Sequence, residues 1–250
     1  MLFQRLILGI LASAAASGLP SAPALAGTFS ISPLRVELSS AAQMSALTLR
    51  NQEDAPVVVQ AEVLLWEQDG GADRLTATRD VLVSPAVFTM PGNGSQLVRV
   101  ALRRPADAQQ QLSYRLILTE VPQQASPEFT GLSVALRLSL PVFVSPTATA
   151  APKLDWSTSR GADGALSLTA RNMGNAHTRI LNFTATPAAG SGPALQQNVT
   201  AYVLPGQART WTLDKNKHGD ATSSTDGDRL RVKGTTEAGD FEAEARPGTR

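Results

Sequence analysis

The sequence predicts an all-β protein of two immunoglobulin-like β-sandwich domains, and three observations carry that prediction. Period-2 alternation of apolar and polar residues recurs along the chain, while helix-type periodicity is nearly missing. About seven short strands, separated by turn residues, fill roughly the first 120 residues after the leader, the count and spacing of an immunoglobulin-type sandwich. The stretch from Ser145 to Pro152, rich in Pro, Thr and Ala, then breaks the composition and sets off a second, smaller group of strands. The expected organisation is a signal peptide over 1–26, a first domain over 27–146, a linker over 147–152, a second β-sandwich over 153–246 and a disordered tail over 247–250.

The leader has the three parts of a secretory signal peptide. Arg5 gives a positive start, residues 6–12 an apolar stretch, and Ala24-Leu25-Ala26 a small-residue cleavage site. That stretch is shorter than the 20 or so residues needed to span a bilayer. The formal net charge of +1 includes Arg5 and no acid from the leader, so the mature chain is close to neutral. A nucleic-acid or anionic-membrane partner calls for a basic patch, and none is evident. The chain has no cysteine. An exported protein without disulfides must draw its stability from packed cores.

Taken in order, Phe29–Leu38 is an apolar run interrupted by Pro33. Ala46–Arg50 alternates, Asn51–Asp54 turns, and Pro56–Trp66 forms a long strand whose Trp66 is expected in the core. Asp69-Gly70-Gly71 marks a turn. Val81–Met90 contains an apolar run closed by Pro91-Gly92-Asn93-Gly94, after which Gln96–Leu102 alternates again and Ser113–Val121 follows. In the second domain, Leu166–Arg171, Arg179–Ala185, Asn198–Leu204, Arg209–Leu213, Arg229–Gly234 and Phe241–Ala245 have strand character. Lys215–Asp228 is almost devoid of apolar residues and is expected to be a mobile loop.

One segment stands apart. From Leu132 to Val144 every even position is Leu or Val, whereas the odd positions carry Ser133, Ala135, Arg137, Ser139, Pro141 and Phe143. Sustained alternation over about twice a normal strand length makes an aliphatic ridge that must be buried against this chain or another. From alternation alone, the domain's own core is the simpler destination.

Catalytic chemistry finds little support. His177 and His218 are the only histidines, one in a turn and one in the polar loop, and both are expected to be solvated. Neither a triad, a zinc site nor a phosphate-cradling loop can be assembled from such residues. Asn182 and Asn198 begin glycosylation-type triplets, but both fall within expected strands.

Several segments together resemble the PapD-like periplasmic chaperones of pilus assembly. Ser32–Leu38 is similar to that family's first strand. Asn51, Pro56, Gln60 and Trp66 match its N-x4-P-x3-Q…W spacing, and Phe88–Val100 resembles its P-P-G…Q-x-V-R-V stretch. Tyr114–Pro122 and Pro141–Pro146 resemble its last two first-domain strands. The second domain matches loosely, through Asn172–Asn175 and Tyr202–Gly206. The departures, and the pattern from Arg137 to Phe143, look closer to the archaic, spore-coat-U-type branch than to the classical one.

The resemblance implies a boomerang of two sandwiches and a non-enzymatic chaperone. It would bind pilin subunits, lend them a strand by donor-strand complementation, and deliver them to an outer-membrane usher. The donor residues by family position are Leu132, Val134 and Leu136, with Leu138 a possible fourth. Leu140, Val142 and Phe143 are expected to pack internally. The family holds the subunit's terminal carboxylate with two basic residues. Arg35 stands in the first position, whereas Pro141 replaces the usual lysine, leaving Arg137 or Arg115 as substitutes. The arginine of the family's interdomain salt bridge is replaced by Ser145, although Glu120 is present. No cofactor, nucleic acid or membrane insertion is implied; the location would be the periplasm, and an exposed donor strand could self-cap as a homodimer. The alternative is a secreted structural or adhesive β-sandwich protein of the pilus itself.

Overall fold

The structure is a computed structural model that describes residues 29–122, 134–188, 194–213 and 229–248. The expected signal peptide, Leu132 and the Lys215–Asp228 loop lie outside the described residues. The described chain is entirely β, in two sheet-rich domains.

The first domain opens with β1 (Phe29–Ser32) and β2 (Val36–Leu38), separated at Pro33. It continues through β3 (Met44–Asn51), β4 (Val57–Asp69), β5 (Ala72–Ala77), β6 (Val81–Ser84), β7 (Val87–Met90), β8 (Ser95–Leu102), β9 (Leu112–Val121) and β10 (Arg137–Val144). One sheet has the order β1-β3-β8-β6; the other has β2-β10-β9-β4-β5, with β7 on the first part of β4. The chain changes sheets at Pro33 and again at Pro85, and the peptide bond before each proline is cis. A proline has no N–H for a ladder, so a strand ends readily there. The single apolar run expected over Val81–Met90 is therefore two short strands in different sheets.

The even ridge supplies one wall of the core. Val142 and Val144 pack with Leu116, Tyr114, Val36, Leu38, Val98 and Val100 between the two sheets. Asn51, fully buried at the end of β3, fastens the next turn. Its amide nitrogen donates to the carbonyls of Ala55 and Pro91, and its side-chain oxygen accepts from the Glu53 N–H.

The second domain contains β11 (Leu154–Arg160), β12 (Leu166–Asn172), β13 (Thr178–Pro187), β14 (Leu195–Val203), β15 (Ala208–Leu213), β16 (Leu230–Thr236) and β17 (Gly239–Pro247), in the order β14-β13-β16-β17-β11-β12-β15. Its core gathers Trp156, Leu168, Ile180, Phe183, Val203 and Val232. Buried Asn172 repeats the role of Asn51, donating to Ala176 and Val203 and accepting from Lys153 and Gly174.

Four expectations need adjusting. β5 and β11 are strands that the sequence hides, because β5 is an exposed edge with one large apolar residue, Leu75, and β11 carries only Leu154 and Trp156 among polar residues. The strand expected from Leu132 begins at Arg137, since its partner β9 ends at Val121 and pairing stops soon after. The last strand runs past Arg246 to Pro247, and the Gly248 N–H donates to Thr158. Trp66 is buried, but outside the sandwich core, in a small cluster with Phe143, Leu204 and Tyr202.

Leu116 is fully buried at the centre of β9. Leu116→Ala should lower unfolding free energy by about 2–5 kcal/mol in urea titration, with little change in the denaturant slope. A loss under about 1 kcal/mol would mean that the sandwich core is not centred on this strand.

Candidate functional site

β10 is paired unevenly. It runs antiparallel to β9 along its whole length, from Arg137 opposite Thr119 to Val144 opposite Leu112. On its other side it meets β2 only from Val142 to Val144. From Arg137 to Pro141 that second edge has no strand partner among the described residues. The direction of the free groups follows from two bonds. The Glu120 N–H donates to the Leu136 carbonyl at 2.8 Å, and the Ser145 N–H donates to Leu38 at 2.9 Å. In an antiparallel ladder opposed residues alternate between bonded and non-bonded pairs. The even residues therefore bond to β9, and Arg137, Ser139 and Pro141 direct their main-chain groups outward. Pro141 lacks an N–H where none is needed by its own sheet.

The side chains grade from core to surface along the same strand. Leu140, Val142 and Val144 are buried, and Phe143 is buried on the opposite face, in line with the expected internal packing. Leu138 is partly buried against the core, Leu136 is half-buried, and Val134 is 49% exposed. The Leu136 N–H also donates to the Glu120 carboxylate, at 3.2 Å, so Glu120 holds the start of the segment from both main chain and side chain. The ridge thus leaves its own core at Leu138 and continues outward beside an open main-chain edge.

Arg35 precedes β2 immediately and so stands where the open edge closes. Its Nε lies 2.7 Å from Glu37 Oε1, and its Nη1 donates to Glu237 Oε2 at 2.6 Å. Glu237 belongs to the turn between β16 and β17, so this contact joins the two domains. Its other oxygen lies 2.9 Å from His177 Nε2. His177 is a correction to the sequence reading: it is not solvated, its side chain being only 8% exposed. Phe143, at an odd position, turns away from its own core, and His177 covers it as a parallel stack with 3.5 Å between ring centres. The Gln111 side-chain oxygen accepts from the His177 main-chain N–H at 2.9 Å and lies 2.7 Å from Nδ1. Asn175 bonds through its amide to Gln109 and Thr149, which seats the whole turn on the first domain.

The electrostatics of the two glutamates differ. Burial raises the Glu37 carboxyl above its ordinary value, and neighbouring Glu237 adds to this, against the pull of Arg35 and His177. Burial acts the same way on Glu237 but is outweighed by His177 and Arg35 together, so its carboxyl is held below the usual range.

The remaining anchor candidates lie elsewhere. Arg115, opposite Pro141 on β9, places its guanidinium 3.6 Å over the Trp66 ring, turned into the domain junction. Burial, with Arg179 and Arg209 nearby, depresses its pKa, while Asp73 and Tyr202 act in the other direction. Beside it, buried Gln68 donates to Asp73 and the Tyr202 carbonyl and accepts from the Leu204 N–H. Arg209 donates to Gly71 and Asp73 from the second domain. Arg137 is exposed at the far end of the open edge. Arg35 and Arg137 therefore flank the edge, and Arg115 belongs to the junction. Glu237, Gln111 and Gln68 were not visible as site residues, because isolated polar residues in turns and strand ends carry no spacing signal.

Residues 28–150 match the family model described as pili and flagellar-assembly chaperone, PapD N-terminal domain. No curated protein matches the chain. Among solved structures, the chain is similar to one from the CsuC–CsuE chaperone–tip adhesion subunit pre-assembly complex of the archaic chaperone-usher Csu pili of Acinetobacter baumannii, with TM-score 0.67 and 22% identity over 89% of this chain and 100% of that one. The Salmonella enterica SafB chaperone complex with SafA pilin gives TM-score 0.61 and 15% identity over 88% and 98%. The E. coli chaperone DraB gives 0.56 and 20% over 87% and 96%.

Because the Glu237 carboxyl is depressed in the folded state, its contribution is present above its ordinary value of 4.5 and lost as pH falls through the lower folded value. Glu237→Gln should therefore cost roughly 1 kcal/mol at pH 7, and the difference from wild type should shrink as pH falls below the ordinary carboxyl value, in paired denaturation curves. A pH-independent difference would show that the charge of Glu237 plays no part.

Proposed function

We propose, from the premise that residues 28–150 belong to the PapD N-terminal domain family of pili and flagellar-assembly chaperones, that this chain captures pilin subunits by donor-strand complementation and delivers them to an outer-membrane usher. The family is non-enzymatic, and the work of such a protein is binding. The observation that carries the reading is the open edge of β10, bordered by an apolar ridge that leaves its own core at Leu138. A strand added there would satisfy the outward groups of Arg137, Ser139 and Pro141, and alternate side chains would set the register. Leu132, Val134, Leu136 and Leu138 are the donor residues in this reading. A one-residue slip would present Ser133, Ala135 and Arg137 to an apolar groove instead.

Arg35 is the carboxylate anchor, since a chain lying on the open edge and ending beside Pro141 brings its terminus to the residue before β2. Its guanidinium suits a bidentate pair. Arg137 guards the distal end, and Arg115 acts through the junction. The leader over 1–26 directs the chain to the periplasm, and 147–152 joins two domains at 27–146 and 153–246. Binding only the native-like subunit would shift its folding by mass action, without a nucleotide or metal. The same exposed edge favours self-capping as a dimer when no subunit is present.

The test is periplasmic co-expression with a candidate pilin from the same cell and purification through this chain. Wild type should yield a one-to-one complex. Val134→Asp and Leu136→Asp should lose it while keeping the free protein's melting curve, and unfolding of both free variants would return these residues to the core. Arg35→Ala should weaken capture by roughly 1.5–3 kcal/mol in titration calorimetry. Failure to capture any candidate pilin would favour a structural role in the pilus.

A further inference from the structure

Arg35 is not a vacant anchor. A guanidinium offers two forks for a bidentate carboxylate, one from Nε and Nη2 and one from Nη1 and Nη2. In the structure Nε is engaged by Glu37 and Nη1 by Glu237, so each fork has one of its two nitrogens already bonded to a carboxylate. A third carboxylate must share the guanidinium with two already present, and their mutual repulsion favours the departure of one of them.

The two occupants are not equivalent. Glu37 sits two residues from Arg35 in the same segment, within the first domain. Glu237 arrives from the second domain and already has an alternative partner, since its Oε1 lies 2.9 Å from His177 Nε2. His177 is in turn fixed by the Phe143 stack and by Gln111. Releasing Arg35 would therefore leave Glu237 beside His177 rather than unpaired. The Arg35 side chain is 42% exposed, so an incoming carboxylate can reach it from solvent.

We infer that Glu237 is a built-in competitor for the carboxylate-binding site, occupying Arg35 in the free protein and yielding it when the subunit's terminal carboxylate arrives. The inference rests on Arg35 being the carboxylate anchor, as proposed above. It makes Glu237 a specificity device. A partner without a correctly placed carboxylate leaves the Arg35–Glu237 pair intact, whereas one that has it exchanges one carboxylate for another. His177 is the positioning residue that receives Glu237 during the exchange. The same exchange removes a contact between the domains, so capture at the edge is linked to the junction.

The test uses the full mature chain and a soluble peptide of alternating valine and threonine about ten residues long, made once with a free C-terminal carboxylate and once as the amide. Dissociation constants are measured for wild type, Arg35→Ala, Glu237→Ala and the double variant. Wild type is expected to prefer the acid peptide. Glu237→Ala should tighten the acid peptide roughly two- to fivefold and leave the amide unchanged, because the displaced pair is a partly exposed one. Arg35→Ala should abolish the preference, alone and in the double variant. A wild-type preference that Glu237→Ala leaves the same, or reduces, overturns the competitor while sparing the anchor. Equal binding of acid and amide by both wild type and Glu237→Ala overturns the anchor, and the inference with it.

Discussion

The arrangement of this protein depends on where β2 begins. Three residues, Val36 to Leu38, pair with β10, and Pro33 keeps the strand from extending backward as one continuous element with β1. Had the run from Phe29 to Leu38 remained in one sheet, β10 would have either no partner on that side or a complete one. Splitting it satisfies Val142–Val144 and leaves Arg137–Pro141 open. An open edge is ordinarily a liability, and charged residues and proline blunt it. Here Arg137 and Pro141 mark the two ends of the open stretch, so indiscriminate pairing is discouraged while the edge between them remains usable.

The ridge follows the same division. Leu140, Val142 and Val144 hold β10 in its own sandwich, and they lie within the strand's paired length or next to it. Past Leu138 the same alternation continues with less and less of the domain to cover it. Burying a Leu or Val side chain is worth about 1.5–3 kcal/mol. Val134 and Leu136, left partly in water next to unpaired main chain, keep apolar area whose burial would be favourable. The rigid half of the strand positions the free half.

Much of this was legible in the sequence because it is periodic or punctuated. The even ridge, Pro33 and the Asn51 turn each leave a local signature, and the structure places them as a ridge, a sheet switch and a buried fastening. What was hidden is what forms between distant segments. Trp66 has the look of a core residue, yet it serves the junction, since the odd or even face of a long strand cannot be assigned to an inner or outer surface until the neighbouring domain is placed. His177 reads as a loop residue because nothing near it in the sequence says that Phe143 requires a cover. Glu237, in a short polar turn, gives no hint that it meets Arg35. Edge strand β5 and polar β11 carry no such signature, because tertiary pairing, rather than their own apolar content, makes them strands.

The junction itself has two unlike halves. Around Gln68 the contacts are buried: its amide bonds to Asp73 and to Tyr202, its oxygen to Leu204, with Trp66, Tyr202 and Arg115 packed alongside. Leaving such a group unsatisfied costs about 1–3 kcal/mol, so this half resists parting. Around Arg35 the ion pair is partly exposed, and pairs of that kind are worth about 0–1 kcal/mol. Between the two lie the Phe143–His177 stack and the bonds of Gln111 to His177 and of Asn175 to Gln109, so the ion pair is one of several contacts that join the domains. The exposed contact is also the one at the end of the open edge. A carboxylate at the end of a strand added to β10 would therefore meet this partly exposed pair rather than the buried bonds around Gln68.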